Sequence, residues 1–342
     1  MNILIIGGGN MGSAFAQGLM NHSSDILNRV TVHDINAEKI EILKKLEIDV
    51  TSTLSEKIVS SADIIILAVK PHNFPELLLK LKKFLQKNIL KKNVLIISIA
   101  AGISITTIEK ALMEPISVGA VKSQDDMMAS NASLSSNTVM TDGAVISPND
   151  MAHSNATLSP CAVMSPKIIM SPRESTRKKI VRVMPNTPAL IGEGMSAWFA
   201  TDAVTQDERQ LVRQILRALG EEIEIRDESL MDAVTALSGC GPAYTFLFLE
   251  SLIEGAAELG LDKNTAAFLA LKTVEGSIKL ARSSSDDLET LRRRVASPGG
   301  TTEAALQHFE KCGFRDIIKS AMKKAYERGK IIGKKTKNSA SF

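Results

Sequence analysis

Short apolar runs alternate with amphipathic stretches over the first hundred positions. Residues 3–6 read as a buried strand and 11–20 as the helix that follows; 30–34 and 37–46 repeat the pair. Next come a charge-free strand at 64–69, ended by Lys70-Pro71, a helix at 77–85 and a strand at 94–99. Near-continuous Val/Ile/Leu runs separated by helices predict parallel strands covered on both faces. Regular patterning returns at 179–184 and 195–199 (strands), 207–219 (helix) and 222–225 (strand). Beyond residue 229 only helical periodicity remains, at 230–237, 243–259, 263–281, 286–295, 302–311 and 315–332. The expected class is α/β: an N-terminal Rossmann-like, doubly wound parallel sheet over 1–226, then an all-helical domain over 227–333. Residues 334–342 are polar and read as a flexible tail.

Between residues 114 and 179 the pattern lapses. The stretch has no Phe, Tyr or Trp, yet holds six of the 14 Met and is dense in Ser. Residues 119–142 align with 143–166 at 13 of 24 positions, a tandem duplication. Two copies without aromatics bury too little apolar area to offset ordering entropy, so a disordered insert is expected rather than a solenoid. It enters at a strand's amino end and should hang from the sheet edge away from any ligand.

Composition narrows the function classes. A net charge of +3 in 342 residues and a pI near 8.6 do not suggest a nucleic-acid surface, and 4% aromatics offer few stacking platforms. Three widely spaced cysteines fit a reducing cytoplasm and form no metal pattern. The chain opens without a targeting signature, and its longest uncharged stretch, interrupted by Gly239, Gly241 and Pro242, is too short for a membrane span.

Candidate chemistry starts at residue 7. Gly7-Gly8-Gly9-Asn10-Met11-Gly12 satisfies G-x-G-x-x-G between the first strand and first helix, where the glycines permit a tight turn and close approach of a pyrophosphate. Asp34 stands about twenty residues on, where a carboxylate hydrogen-bonds the ribose 2′-OH of NAD and repels a 2′-phosphate. NADH is therefore favoured, with NADPH as the alternative. Ala68-Val69-Lys70-Pro71 and the turn holding Ala100 and Ala101 fall at carboxyl ends of strands, where small residues admit a ring and ribose. Ser297-Pro298-Gly299-Gly300-Thr301-Thr302 reads either as a carboxylate-binding helix start or as a plain helix–helix turn.

Six segments together resemble the pyrroline-5-carboxylate reductase family: IGGGNMG (6–12), AVKP (68–71), SIAAG (98–102), MPNTPALIGEGM (184–195), LSGCGPAY (237–244) and SPGGTT (297–302). They keep the family's order and spacing and cover the chain outside the insert. The resemblance implies hydride transfer from NAD(P)H to the C=N bond of 1-pyrroline-5-carboxylate, giving L-proline. It also implies a helical domain that pairs two subunits, with larger rings of dimers in some relatives. By the same resemblance the substrate carboxylate sits at Ser297, Gly300 and Thr301, the Thr302 hydroxyl lies near the ring nitrogen, and Glu193 lies near the substrate. A protonated C=N is already an electrophile, so the reaction needs positioning more than acid–base machinery. Tyr244, Phe248, Leu252 and Ala256 share one helix face and would be core of a dimer.

The chain departs from the family at Ser285-Asp286-Asp287 and at Arg292-Arg293-Arg294. The arginines are either a solvated helix face or contacts to cofactor phosphates or a substrate carboxylate. Two rival readings follow: a related β-hydroxyacid dehydrogenase with a lysine-based site, or a nucleotide-sensing protein that has lost catalysis.

Overall fold

The computed structural model describes residues 1–22, 27–91, 93–113 and 178–339. The duplicated segment lies outside the described residues. Eight strands form one sheet: β1 (Asn2–Ile6), β2 (Arg29–His33), β3 (Asp49–Thr51), β4 (Ile64–Leu67), β5 (Leu95–Ser98), β6 (Ile180–Met184), β7 (Gly194–Ala200) and β8 (Gly220–Glu224). Their order is β3-β2-β1-β4-β5-β6-β7-β8. The first six run parallel; β7 is antiparallel to β6, and β8 is parallel to β7. Strand order reverses at β1/β4, the switch point where doubly wound sheets bind ligands. Register brings the carboxyl ends level there, with Ile6 opposite both His33 and Leu67, and Leu67 opposite Ser98.

Strand alternation divides the interior into two cores. Ile3, Ile5, Val181 and Val183 face one side with Phe15, Leu19, Trp198 and Ile215. Leu4, Ile6, Ile65, Leu67 and Ile180 face the other with Phe74, Leu81 and Ile108. Each fully buried side chain of this size contributes roughly 1.5–3 kcal/mol of transfer free energy. The helices supplying these partners are α1 (Asn10–His22), α2 (Ala37–Lys45), α3 (Glu56–Ser61), α4 (Phe74–Gln86), α5 (Ile105–Met113) and α6 (Gln206–Arg217). Caps mark their starts: Asn36 accepts the Lys39 N–H ahead of α2, and Thr205 with Glu208 forms a capping box on α6.

After β8 the chain is helical, with α7 (Met231–Val234), α8 (Gly241–Glu258), α9 (Lys263–Ser283), α10 (Leu288–Val295), α11 (Thr301–Lys311) and α12 (Phe314–Ser339). This layer exposes much apolar surface: Phe246, Leu247, Phe268 and Leu271 are all more than half exposed. The Tyr244–Ala256 stripe is therefore not core within one chain; Phe248 and Leu252 remain exposed.

Three details differ from the sequence pattern. β3 and α3 are additional elements, too short to show a period. The expected helix at 230–237 is a short 3₁₀ turn, then α7, then a π-helical turn at Thr235–Gly239, closed by Cys240 N–H donating to Thr235 O. The tail expected to be frayed from 334 onward instead continues α12 to Ser339, with Thr336 buried.

Candidate active site

The glycine turn is built by backbone contact. Gly7, at φ +113°, donates to His33 O, and a Cβ there would lie 2.6 Å from Ala68 O. A Cβ on Gly12 would lie 1.8 Å from Gly7 O, so α1 seats directly on the turn. Gly9 is different: the nearest atom to a Cβ there is Lys39 Nζ at 3.9 Å, leaving an open cradle beside the start of α1. Asn10 is exposed and Met11 half-buried, and their N–H groups head a 13-residue helix with no acidic residue in its first turn. An open glycine face with free donors and a favourable helix end suits the pyrophosphate of a dinucleotide.

Asp34 follows β2 and faces inward. Its Oδ2 accepts the Gly8 N–H at 2.6 Å, its Oδ1 accepts the Asn36 N–H at 2.8 Å, and Lys39 Nζ stands 3.6 Å from Oδ2. Burial opposes its ionisation, but the Asn36 and Gly8 amides together with Lys39 outweigh burial and hold the carboxyl below the usual range. Ala68 packs against the glycine turn through Gly7 and Gly12, with Val69 half-buried, Lys70 exposed and Pro71 opening a short 3₁₀ turn. Ala100 is buried and Ala101 half-buried in the turn after β5. Just before it, Ser98 Oγ is fully buried with no hydrogen-bond partner among the described residues.

Ser297–Thr302 forms a separate feature on the helical layer. Gly299, at φ +71°, donates to Glu303 Oε2 at 2.7 Å, and Gly300 N–H donates to Ser297 O. Gly300 is the N-cap of α11 and supplies no side-chain cap, so the N–H groups of Thr301 and Thr302 lack helical partners. Ser297 and Thr301 are exposed and Thr302 is half-buried. No hydrogen bond or ion pair joins this turn to the N-terminal sheet among the described residues. Glu193 is exposed at the mouth of β7, and its charge acts on Lys279 and Arg282 of α9. The three arginines pair internally: Arg294 with Asp286, Arg293 with Glu289, and Arg292 with Glu310 at 3.5 Å. That is the solvated-face arrangement.

Residues 228–332 match the profile for pyrroline-5-carboxylate reductase dimerisation, and residues 2–102 match that of NADP oxidoreductases, coenzyme F420-dependent. A pyrroline-5-carboxylate reductase of Pasteurella multocida is 30% identical over 339 residues, covering 97% of this chain and 98% of the relative. The chain belongs to the pyrroline-5-carboxylate reductase family. Solved reductases agree with this. The Coxiella burnetii enzyme superposes with TM-score 0.69 at 30% identity, covering 97% of this chain and 98% of that one. The Plasmodium falciparum enzyme, solved with NADP bound, does so at TM-score 0.69 and 27% identity, covering 97% and 98%.

Within this reductase framework, the structure brings together Gly7–Gly12, Asp34, Ala68–Pro71 and Ala100–Ala101 along the carboxyl edge of the sheet. It keeps Glu193 and Ser297–Thr302 on other elements. Sequence reasoning passed over Asn186, which joins two of the reductase motifs: Oδ1 accepts the Met195 N–H at 2.9 Å and Nδ2 donates to Ser238 at 3.4 Å. It also passed over Arg182, Glu228 and Asp232. A lone charge inside the apolar strand Ile-Val-Arg-Val-Met, with two carboxylates four residues apart downstream, was the available signal.

Proposed function

We propose that this chain reduces the C=N bond of 1-pyrroline-5-carboxylate to give L-proline, the last step of proline biosynthesis, using a reduced nicotinamide dinucleotide. The observation that carries the reading is the open Gly9 cradle level with the Ala68 and Ala100–Ala101 turns, in a chain that shares the reductase family along nearly all its length. Gly7, Gly8, Gly9, Asn10, Met11 and Gly12 would hold the pyrophosphate. Ala68, Val69, Lys70 and Pro71, with Ala100 and Ala101, would line the ribose and ring. When bound, the dinucleotide supplies a hydride. Ser297, Gly300 and Thr301 would receive the substrate carboxylate at the open first turn of α11, and Glu193 would approach from the β7 side. The Thr302 hydroxyl would orient the ring nitrogen, which keeps its proton as hydride adds to the imine carbon and the C=N becomes a secondary amine.

Asp34 taken alone favours NADH. Its carboxylate is engaged by Gly8 and Asn36 and faced by Lys39, so its repulsion of a 2′-phosphate is reduced. We therefore read the site as accepting both NADH and NADPH, in keeping with the NADP-bound Plasmodium relative. The exposed apolar helices support a homodimer. They include the run Glu228–Glu258, long and apolar enough by length and composition to cross a membrane, whose most apolar part is almost entirely unburied in one chain. A second copy covering that face accounts for it without a bilayer, and a ring of dimers would use surfaces beyond it. Cys240 and Cys312 are free thiols, as a cytoplasmic protein's would be.

The test is oxidation of NADH and NADPH with 1-pyrroline-5-carboxylate as acceptor. Wild type should turn over, and Thr302→Ala should lower kcat about 10²-fold while leaving dinucleotide affinity unchanged. Dinucleotide binding without substrate-dependent oxidation would remove the reductase reading in favour of a sensor.

A further inference from the structure

The turn joining β5 to α5, residues 98–105, is held from outside the N-terminal sheet, and by two independent supports. The first is ionic. Glu228 Oε1 accepts the Ile105 N–H at 2.8 Å, filling a donor that the start of α5 leaves open. The same oxygen accepts Arg182 Nη1 at 3.1 Å, and Arg182 Nη2 donates to Asp232 Oδ1 at 3.0 Å. Arg182 is only 6% exposed and stands opposite Ser98 in the β5–β6 register. A guanidinium buried so deeply needs both carboxylates, which fixes Glu228 in place.

The second support is steric. Gly102, at φ +77°, abuts α12 backbone to backbone. A Cβ on Gly102 would lie 2.9 Å from Gly329 O and 3.2 Å from Gly333 N; one on Gly333 would lie 2.3 Å from Gly102 O. No side chain fits between them. A Cβ on Gly329 would lie 4.0 Å from the Asp232 carboxylate, so the two supports are neighbours. The adenosine end of the cleft has no such dependence: Gly7 bonds His33, and Asp34 bonds Gly8 and Asn36, all within the N-terminal sheet and its turns.

We propose that Glu228 with Arg182, and the Gly329/Gly333 pair with Gly102, are positioning residues for the nicotinamide half of the dinucleotide. The helical layer sets the Ala100–Ala101 turn, so affinity for that half depends on it while affinity for the adenosine half does not. The proposal rests on the preceding reading, which places the nicotinamide at the carboxyl end of β5.

Full-length wild type, Glu228→Ala, Glu228→Gln and Gly333→Ala are titrated calorimetrically with NADPH, NADH and 5′-AMP, the last probing the adenosine half alone. Steady-state kinetics and thermal midpoints are measured alongside. Glu228→Ala and Gly333→Ala should each weaken both dinucleotides about tenfold and lower kcat at saturation, with 5′-AMP affinity held within about twofold. Glu228→Gln keeps an oxygen for the Ile105 N–H and should recover part of the loss. Parallel weakening of 5′-AMP and the dinucleotides would mean general loosening and would overturn the proposal, as would unchanged binding of all three. If Glu228→Ala does not fold, Gly333→Ala decides by the same criteria. Wild type that binds neither 5′-AMP nor dinucleotide would overturn the nucleotide reading itself, a failure separable from that of the positioning claim.

Discussion

Asp34 shows how much of a turn one inward-facing carboxylate can hold together. Its carboxylate ties the glycine turn to the start of α2, and its pKa is held below the ordinary carboxylate value despite burial. A depressed folded-state pKa stabilises the fold above the ordinary carboxylate pKa. That contribution is lost as pH falls through the depressed value. Asp34→Asn should therefore cost about 1–2 kcal/mol at pH 7. The gap to wild type should close only as pH falls through that depressed value, below the ordinary carboxylate range, as thermal midpoints followed from pH 7 down to about pH 2 would record. A gap that persists unchanged in acid would show that the charge is not what matters. The position of Asp34 was readable from sequence through its spacing from the glycines. Its inward orientation was not, because that depends on Lys39 and Asn36 closing around it.

At the scale of elements, periodicity located every long strand and helix, since burial on two faces or one leaves a plain apolar record. It lost the pieces whose reasons are not apolar. β3 has three half-buried residues, and the π turn at Thr235–Gly239 ends on a glycine where a Cβ would meet the Met184 side chain. The end of α12 packs through glycine, so its Lys-rich sequence read as solvent-exposed tail. The motifs of the candidate site were legible, but the links between them, such as Asn186 to Ser238 and Glu228 to Ile105, are tertiary and leave no spacing rule. The seating of α1 on β1 gives a sharp test. Gly12→Ala places a methyl 1.8 Å from Gly7 O, so α1 must lift from the turn. Dinucleotide binding should fall by about 10²-fold, measured by the same calorimetry. Binding within twofold of wild type would show that the turn has slack.

For the whole molecule, average composition conceals an uneven division of labour. Residues 2–102 match an NADP oxidoreductase profile and 228–332 the reductase dimerisation profile, while the duplicated segment interrupts the chain between α5 and β6. Its described flanks, Met113 and Lys178, precede the amino end of β6, opposite the edge that carries the glycine turn. Replacing residues 115–176 with a short flexible linker should leave kcat and KM within about twofold of wild type. Insoluble protein or a tenfold loss of turnover would show that the segment belongs to the working fold.

The return of α12 to Gly102 also sets an order of completion during synthesis. The glycine turn and the first strands emerge early and can pair at once, long before the helical layer exists. Gly102 must wait for Gly329 and Gly333, which at about 5–20 residues per second is a delay on the order of ten to fifty seconds. Until then a premature stop, or any product clipped ahead of Gly333, leaves the Gly102 turn without its outer wall. The final turns of the last helix are thus the last part of this contact to be made, and only a chain translated nearly to its end can close it.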